Sequence, residues 1–535
     1  MIFPQAPLSR SPAPGRLPPA IRGFSFDSRE IRDKTGALAV RRDAEVNFAM
    51  RIANWVIAVS LTGWLLSGSL VAADGADALF DVVIVHGRVM DPETNLDAVR
   101  NVGISHGKIR AISEKELRGK ETIEARGLIV APGFIDLHEH GQEPRNYQFQ
   151  ARDGVTTSLE LEAGTDDVDK WYAVREGKAL INFGVSVGHI PVRMRVMHDP
   201  GTFLPTGDAA HREATPRELK EIDQGMETGL KRGALAVGMG INYTAAATHD
   251  EILEVFRIAA NANASVHVHL RHAGLKEPTT GLVGLQEVIA DAVASGAPLH
   301  VVHITSMGLR TTPTLLAVIK GARAHGLDVT TECYPYTAGS TALESAIFDE
   351  GWQERQGITY KDVQWTKTGE RLTAETFAKY RKEGGVVVVF SIPEEAARAA
   401  VSDPLVMIAS DGMPITGSKV HPRGQATFAR VLGHYVRQEK VLSLMTALRK
   451  MTLMPAQRLE KRAPMFRDKG RIRVGADADI TIFEPEKVID KATFEDPLQP
   501  SEGIPFVLVN GIAVVRDGQL VNDVSPGRAA RAPVQ

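Results

Sequence analysis

The sequence predicts an α/β protein in which a (β/α)8 barrel of the TIM type lies beside a small β-sandwich built from both flanks. Between residues 131 and 465, short apolar segments alternate with helical stretches, the pattern of parallel strands joined by helices. Residues 78–130 and 466–525 instead carry short alternating strands separated by glycine turns. With 535 residues, 43% of them hydrophobic, the chain is long enough to bury a barrel core and a smaller domain.

The first 73 residues are predicted to lie outside this folded region. Residues 1–49 are rich in Pro, Arg and Ser without an apolar period, so we expect a disordered segment or an extension ahead of the true start. From Met50 a short basic start, an apolar run and small residues up to Ala73 have the layout of a signal peptide. We therefore expect residues 50–73 to be cleaved and the protein to be exported, with a periplasmic location. The alternative is an uncleaved anchor in contact with the membrane, because about 20 apolar residues can just span a bilayer.

Composition narrows the classes of partner. A formal net charge of -3 argues against a nucleic-acid partner. Cys333 is the single cysteine, so no internal disulfide can form.

The two β-rich flanks surround a long middle region and are most simply joined as one composite sandwich.

Eight strand candidates occur in the middle region, the number that the barrel requires. Each is a short apolar run bounded by turn residues. They are Gly133 to His140, Val155 to Glu162, Phe183 to His189, Ala234 to Ile241, Ser265 to Leu270, Leu299 to Thr305, Asp328 to Tyr336, and Leu405 to Ser410.

The first of these strands ends in His138-Glu-His140. Side chains of a strand alternate between faces, so the two imidazoles point the same way and come within reach of one ion. The competing interpretation is a pair of polar residues in a surface loop, and this pair alone leaves both interpretations open. Candidate ligands at several strand ends, where the active sites of such barrels lie, together favour the metal.

Other strand ends carry further candidate ligands. They are Glu160 and Glu162 on strand two, His267 and His269 on strand five, His303 on strand six, and Asp411 directly after strand eight. Two carboxylates inside a barrel are costly without a cation, and Glu162 is the nearer to the strand end. Imidazole and carboxylate ligands from separate strands suit Zn²⁺ with an open position for water.

The sequence resembles the amidohydrolase superfamily, and within it the N-acyl-D-amino-acid deacylases, or D-aminoacylases. The resemblance covers nearly all of residues 80 to 530. It is carried by Pro132-Gly-Phe-Ile-Asp-Leu-His-Glu-His, Gly154-Val-Thr-Thr, Gly233-Ala-Leu-Ala-Val-Gly-Met-Gly, Val268-His-Leu-Arg, Val302-His-Ile-Thr-Ser-Met-Gly, Tyr334-Pro-Tyr-Thr-Ala-Gly-Ser-Thr, Ser410-Asp-Gly, His421-Pro-Arg-Gly and Met451-Thr-Leu-Met-Pro-Ala-Gln-Arg-Leu.

The resemblance implies metal-dependent hydrolysis of the amide bond of an N-acyl-D-amino acid. It implies that His269 and His303 bind zinc, that His138 and His140 line a second metal position, and that Asp411 is the catalytic acid/base. Zn²⁺ is expected as one or two ions per chain, and the partner is a small-molecule N-acyl amino acid.

Two positions depart from the family pattern. Glu162 lies near the place where D-aminoacylases commonly carry a zinc-binding cysteine, so the number of metal ions is open. Thr305 stands where the family often has a lysine that helps hold the substrate carboxylate, so the substrate is open as well.

Four residues are predicted to bind substrate. The planar fork of Arg423 suits bidentate pairing with a carboxylate, whereas the competing interpretation is an exposed arginine in a polar loop. Tyr334 or Tyr336, or another nearby donor, is expected to hold the developing oxyanion with the metal. Arg271, in the motif Val268-His-Leu-Arg, is the fourth candidate.

Two other functions are compatible with the fold. One is a different amidohydrolase acting on dipeptides or cyclic amides, against which the Tyr-Pro-Tyr and His-Pro-Arg-Gly segments argue. The other is a catalytically silent binding protein, which should have lost the ligands or Asp411; this sequence keeps all of them.

Overall fold

The computed structural model describes residues 79–535, so the predictions for residues 1–49 and 50–73 lie outside the described range. Within residues 79–535, no helix combines the length and the apolar character needed to cross a bilayer.

The strands fall into three sheets. In chain order they are β1 (Leu79–Asp91), β2 (Leu96–Ser105), β3 (Lys108–Ser113), β4 (Arg118–Glu124), β5 (Ile129–Pro132), β6 (Phe134–Asp136), β7 (Val155–Thr165), β8 (Asn182–Gly188), β9 (Val237–Gly240), β10 (Val266–His269), β11 (Leu299–Val301), β12 (Val329–Cys333), β13 (Gly339–Ala342), β14 (Val363–Trp365), β15 (Val386–Val389), β16 (Val406–Ile408), β17 (Ile480–Phe483), β18 (Phe506–Val509), β19 (Ile512–Arg516) and β20 (Gln519–Leu520).

Several helices begin at a threonine whose hydroxyl accepts a backbone N–H of the first turn, including Thr215, Thr248 and Thr280. The helices are α1 (Pro144–Arg152), α2 (Val168–Ala173), α3 (His189–Val196), α4 (Asp208–His211), α5 (Pro216–Lys231), α6 (His249–Asn261), α7 (Gly281–Ser295), α8 (Ile304–Gly308), α9 (Thr312–Ala324), α10 (Trp352–Gln356), α11 (Ala374–Glu383), α12 (Glu394–Ser402), α13 (Arg423–Arg430), α14 (Leu444–Met451) and α15 (Leu453–Leu459), with a π-helical segment at Val431–Gln438.

Both flanks of the chain contribute to one nine-stranded sheet, in the order β20-β19-β18-β17-β5-β1-β2-β3 with β4 bonded to β1. The flanks meet where β5 pairs antiparallel with β17, for example Val130 with Ile482. Strand β1 has 13 residues and a bulge between Ile84 and Gly87, so its first half bonds β4 and its second half bonds β5. The predicted joining of the flanks is confirmed. Because β1 pairs with β4 before its bulge and with β5 after it, all nine strands are hydrogen-bonded into one continuous sheet.

Eight parallel strands form the barrel, in the order β6-β7-β8-β9-β10-β11-β12-β16. Each corresponds to one of the eight predicted strands. Nearly all of their residues are buried, because helices cover the outside and side chains fill the inside. The predicted fold class is confirmed.

The barrel closes through the segments that follow β6 and β16. The backbone N–H of Asp411 donates to the carbonyl of His138 at 2.7 Å, and that of His140 donates to the carbonyl of Gly412 at 2.8 Å. The buried Asp136 carboxylate accepts from the Ser410 N–H at 3.0 Å. These bonds bring the chain after the first strand against the chain after the last strand, at the carboxyl ends where barrel active sites lie.

The chain between β12 and β16 forms an insertion that the sequence pattern does not distinguish from the barrel. Strands β13, β15 and β14 form a small antiparallel sheet in that order. It has its own aromatic core, in which Trp352 stacks on Phe377 and Trp365 stacks on Tyr380. The insertion supplies one wall of the cavity described below.

Candidate metal centre and active site

His138 and His140 follow β6 and are almost completely buried, with 1% and 5% of their side chains exposed. Their Nε2 atoms lie 3.2 Å apart. The Oε2 atom of Glu162 is 2.7 Å from the first and 3.2 Å from the second. The Oδ1 atom of Asp411 lies 3.4 Å from both. Two imidazoles and two carboxylates therefore converge on one point.

The other oxygen of Glu162 faces a second group. Its Oε1 atom is 2.9 Å from His269 Nδ1 and 3.9 Å from His303 Nε2. The Nε2 atom of His269 is buried without a hydrogen-bond partner. The Glu162 carboxylate thus lies between two pairs of histidines that come from three strand ends, those of β6, β10 and β11.

This donor set fits divalent metal ions. Within residues 79–535, one group of possible ligands is His138, His140, Glu162 and Asp411, and a second is Glu162, His269 and His303, with the ligand atoms of each group within 4.8 Å of one another. Mixed imidazole and carboxylate donors suit zinc and similar transition metals. A carboxylate shared by both groups can bridge two ions, so the geometry provides two metal positions.

The electrostatics point the same way. Burial opposes the charged form of His138, but Asp411 and Glu162 outweigh burial and raise the pKa of His138 well above its usual value. Burial also opposes ionisation of Glu162, yet His138 and the other imidazoles hold its pKa well below the usual range. The site favours positive charge at its centre, which a divalent cation would supply.

Two further carboxylates orient the first pair of histidines. Glu332 on β12 lies 2.7 Å from His138 Nδ1 and 3.0 Å from His300 Nε2. Glu160 lies 2.6 Å from His140 Nδ1. A proton held on each Nδ1 leaves the two Nε2 lone pairs directed at the metal position.

The backbone is strained at two residues of the centre, Asp411 and His303. Asp411 has φ of 53° and His303 has φ of 29°, the left-handed region that residues with a Cβ rarely adopt. Such strain is a recurrent feature of functional sites. A Cβ at Gly412 would lie 1.9 Å from the Oε2 atom of the buried Glu139, so a larger residue beside Asp411 would displace that side chain.

Asp411 also pairs with a cation. The Arg423 Nη1 atom lies 2.8 Å from Asp411 Oδ2, and the side chain of Arg423 is 1% exposed. Burial raises the pKa of Asp411, but Arg423 and His138 outweigh it and lower that pKa to about 2. The guanidinium stacks over the Tyr334 ring at 4.5 Å and donates to the Ser340 carbonyl at 3.2 Å. Asp411 is therefore a carboxylate at neutral pH.

A cavity opens onto this centre. Its polar or titratable lining residues are His140, Glu162, Asn242, Tyr243, His269, His303, Ser306, Tyr334, Ser340, Thr341, Gln356, Ser391, Asp411 and Arg423. The others are glycine, alanine or larger apolar residues, among them Ile190, Phe203, Leu204, Met307, Leu309, Ile347, Val389 and Met413.

The structure brings together most of the predicted site residues and leaves two apart. His138, His140, Glu162, His269, His303 and Asp411 form the centre, and Arg423 and Tyr334 line the cavity. Arg423 is buried rather than exposed in a polar loop.

Tyr336 is not among the lining residues. Its ring packs against His421 at 5.3 Å and against the Arg430 guanidinium at 4.9 Å, outside the cavity. Arg271 is also elsewhere, since it pairs with Glu287 at 2.7 Å and donates to the carbonyls of Ala245 and Ala247. The geometry therefore gives Arg271 a role in holding the loop before α6 and does not support substrate binding by either residue.

Sequence reasoning missed Glu332 and His300. The signal that could have found Glu332 is a lone acidic residue inside the buried strand Val329–Cys333. His300 alternates with apolar residues on β11, so it has the pattern of an ordinary core position. Its contact with Glu332 depends on the pairing of β11 with β12.

The barrel and the two ligand groups at the carboxyl ends of its strands define a protein of the metal-binding barrel class. The chain belongs to the amidohydrolase family, whose model matches residues 194–521.

The relatives share most of the length of this chain. An N-acyl-D-glutamate deacylase of Alcaligenes xylosoxydans xylosoxydans is 29% identical over 495 residues, covering 84% of this chain and 96% of the relative. A D-aminoacylase of the same organism is 29% identical over 492 residues, covering 81% and 94%.

Solved structures agree with the fold. The N-acyl-D-glutamate deacylase of Bordetella bronchiseptica, complexed with zinc and a phosphonate mimic of the tetrahedral intermediate, superimposes with a TM-score of 0.74 at 26% identity, covering 85% of this chain and 100% of that chain. A D-aminoacylase with a binuclear metal centre gives a TM-score of 0.72 at 25% identity, covering 84% and 100%.

Proposed function

We propose that this protein is a zinc-dependent N-acyl-D-amino-acid deacylase, which hydrolyses the amide bond to release a carboxylic acid and a D-amino acid. The observation that carries the proposal is the position of Glu162 between two histidine pairs, with Asp411 3.4 Å from the first pair. The similarity to deacylases of D-glutamate and other D-amino acids supports the reaction and the stereochemistry.

The residues that would hold zinc are the two groups that share Glu162. When bound there, zinc supplies positive charge that polarises the acyl carbonyl and favours ionisation of water at neutral pH. Glu160 and Glu332 keep the Nε2 atoms of His140 and His138 available as ligands.

Asp411 is suited to move the proton. It is buried and ionised at neutral pH, and its Oδ1 atom faces the metal position while Oδ2 faces Arg423. Asp411 accepts a proton as the oxygen of water bonds to the acyl carbon. It then delivers that proton to the amide nitrogen as the C–N bond breaks, so the amine leaves neutral.

Arg423 is suited to bind the α-carboxylate of the substrate. Its guanidinium lines the cavity beside Asp411, so a carboxylate placed there sets the amide bond near the proton donor. Tyr334 lies under the guanidinium and keeps it in this orientation.

The test is hydrolysis by purified, zinc-loaded protein of paired N-acetyl-D- and N-acetyl-L-amino acids, with a dipeptide and a cyclic amide as alternative substrates. We expect release of D-amino acids, with kcat/KM for the D form well above that for its L partner. Turnover confined to the dipeptide, the cyclic amide or the L series would refute the proposal. Protein treated with a chelator and then reloaded with zinc is the control for metal dependence.

A further inference from the structure

The charges that line the cavity indicate which amino-acid side chains the substrate can carry, which the similarity to other deacylases does not. The two deacylase relatives described above are both 29% identical to this chain, although one is named for D-glutamate and the other for D-amino acids in general. Overall similarity therefore does not decide whether the amino-acid side chain of the substrate is acidic or neutral. The inference that follows rests on the proposed function.

The cavity has one permanent cation. Within the described residues 79–535, its lining includes a single lysine or arginine, Arg423. That guanidinium already faces Asp411 at 2.8 Å and is the group available for the α-carboxylate. A second carboxylate, on the side chain of an acidic substrate, would find no further guanidinium or ammonium among the lining residues. A carboxylate moved out of water without a cation or a full set of donors is strongly disfavoured.

The surfaces available to the side chain are apolar or neutral. On one side Ile190, Leu204 and Tyr243 belong to one apolar cluster, and Phe203 lies with its ring 5.3 Å from that of His140. On another side Leu309 packs with Tyr334. Away from the metal centre and Arg423, the lining is apolar or uncharged polar. Whichever of these surfaces receives the side chain therefore offers it no cation.

The surface that carries Phe203 is held in place. The Asp199 carboxylate accepts four backbone N–H groups of the same loop, from Gly201, Thr206, Gly207 and Ala209, at 2.9 to 3.0 Å. Phe203 itself is 37% exposed although it is aromatic. A preorganised apolar surface binds an apolar group without the added entropic cost of ordering a loop.

We infer that this deacylase selects N-acyl-D-amino acids with uncharged, predominantly apolar side chains and discriminates against the D-glutamate and D-aspartate derivatives. The single cation of the cavity argues against an acidic side chain on the substrate. The apolar surfaces favour an apolar side chain over an uncharged polar one.

The experiment compares kcat/KM of the wild-type protein for the N-acetyl derivatives of D-methionine, D-glutamine and D-glutamate, which have side chains of similar length. We expect the methionine derivative to exceed the glutamate derivative by at least about 100-fold, with glutamine between them. Equal rates, or a preference for glutamate, would overturn the inference while leaving the deacylase proposal intact. Failure to hydrolyse any N-acyl-D-amino acid would instead refute the deacylase proposal, and this inference with it.

Variants test whether charge is the cause. Phe203→Arg and Gln356→Arg each add a cation to the lining, at residues that are not fully buried. We expect at least one of them to raise the glutamate-to-methionine ratio of kcat/KM by about tenfold or more. Phe203→Gln is the uncharged match, and Val474→Arg, at a site 57% exposed outside the cavity, adds the same charge elsewhere. An unchanged ratio in both cavity variants, or an equal rise in Val474→Arg, would overturn the inference.

Discussion

Glu162 is the residue on which the centre depends most directly. Each of its oxygens faces a different pair of histidines, and both oxygens are buried. A single-atom thiolate ligand could join two ions only through its sulfur, whereas a carboxylate can give one oxygen to each. The position that departs from the family pattern in sequence is thus compatible with a two-metal centre.

Substitutions at different residues of the centre are expected to affect metal binding and turnover differently. Asp411→Asn should retain most of the bound metal but lose turnover by at least about 100-fold, because the amide cannot accept a proton at neutral pH. His269→Ala should lower the bound metal itself, since it removes one of the three donors in its group. Metal analysis and rates on the purified variants check both statements, and near-normal turnover by Asp411→Asn would refute the mechanism.

Arg423→Lys tests recognition of the α-carboxylate. A guanidinium can form two parallel hydrogen bonds with a carboxylate, whereas an ammonium acts as a compact charge. We expect kcat/KM for an N-acyl-D-amino acid to fall by about tenfold or more, because losing one charge-assisted hydrogen bond costs about 1.5–3 kcal/mol.

The matched substrate is the same compound with its carboxylate converted to an amide. It should be poor for the wild type and nearly insensitive to Arg423→Lys. Because Arg423 also contacts Asp411, equal losses on the two substrates would mean that the arginine acts through the pKa of Asp411 instead.

At the scale of elements, helix α13 sets the position of Arg423. Its first turn follows His421, whose Nδ1 accepts the Arg423 N–H at 3.0 Å and whose Nε2 faces the Ala338 carbonyl at 2.8 Å. The helix is irregular at Ala426, where φ is -153°. The backbone N–H groups of Phe428 and Ala429 are therefore satisfied from outside the helix.

The partner for these groups is Asp153, whose carboxylate accepts from Phe428 N at 2.7 Å, Ala429 N at 3.0 Å and the Ser501 hydroxyl at 2.6 Å. Asp153→Ala should lower the free energy of unfolding by about 2–4 kcal/mol, because it leaves buried donors without an acceptor. It should also lower kcat/KM through displacement of Arg423. Urea unfolding followed by circular dichroism measures the first effect.

Asp153→Asn is the matched control, since its carbonyl oxygen can keep one or two of these bonds. We expect it to lose less stability than Asp153→Ala. If Asp153→Ala unfolds at the wild-type urea concentration, the tie between α1 and α13 does not contribute to stability.

At the scale of the whole molecule, the flanks hydrogen-bond to each other and to the barrel within residues 79–535. Strand β5 pairs with β17, and Asp479 on the C-terminal flank bonds Asn182 of β8 at 3.0 Å and Lys469 at 2.7 Å. The tail after β20 also packs on the barrel, where the Ala530 N–H donates to the Phe183 carbonyl at 2.7 Å. The region from residue 79 onward is thus expected to fold without residues 1–73.

We propose that residues 50–73 act as a cleaved signal for export. The mature protein is then expected to begin near Asp74 and to be found in the periplasm. N-terminal sequencing of protein isolated from its host, together with fractionation, measures both points. Soluble cytoplasmic protein that retains residues 1–73 would contradict the proposal.

The sequence alone predicted the strand count, the joining of the flanks and the candidate metal ligands. These follow from local signals: apolar runs bounded by turns define strands, and polar residues at strand ends of a parallel barrel face one site. His138, His140, Glu162, His269, His303 and Asp411 all met that rule, and the structure brings them together.

Only the tertiary structure decided the contacts between residues distant in the chain. Tyr334 and Tyr336 are equivalent in the sequence, yet one lies under Arg423 in the cavity and the other packs on Arg430 outside it. Arg271 follows the candidate ligand His269 closely in the sequence, yet its guanidinium pairs with Glu287. The support of His138 by Glu332 spans 194 residues. Such contacts depend on packing and strand register, which no local pattern of residues encodes.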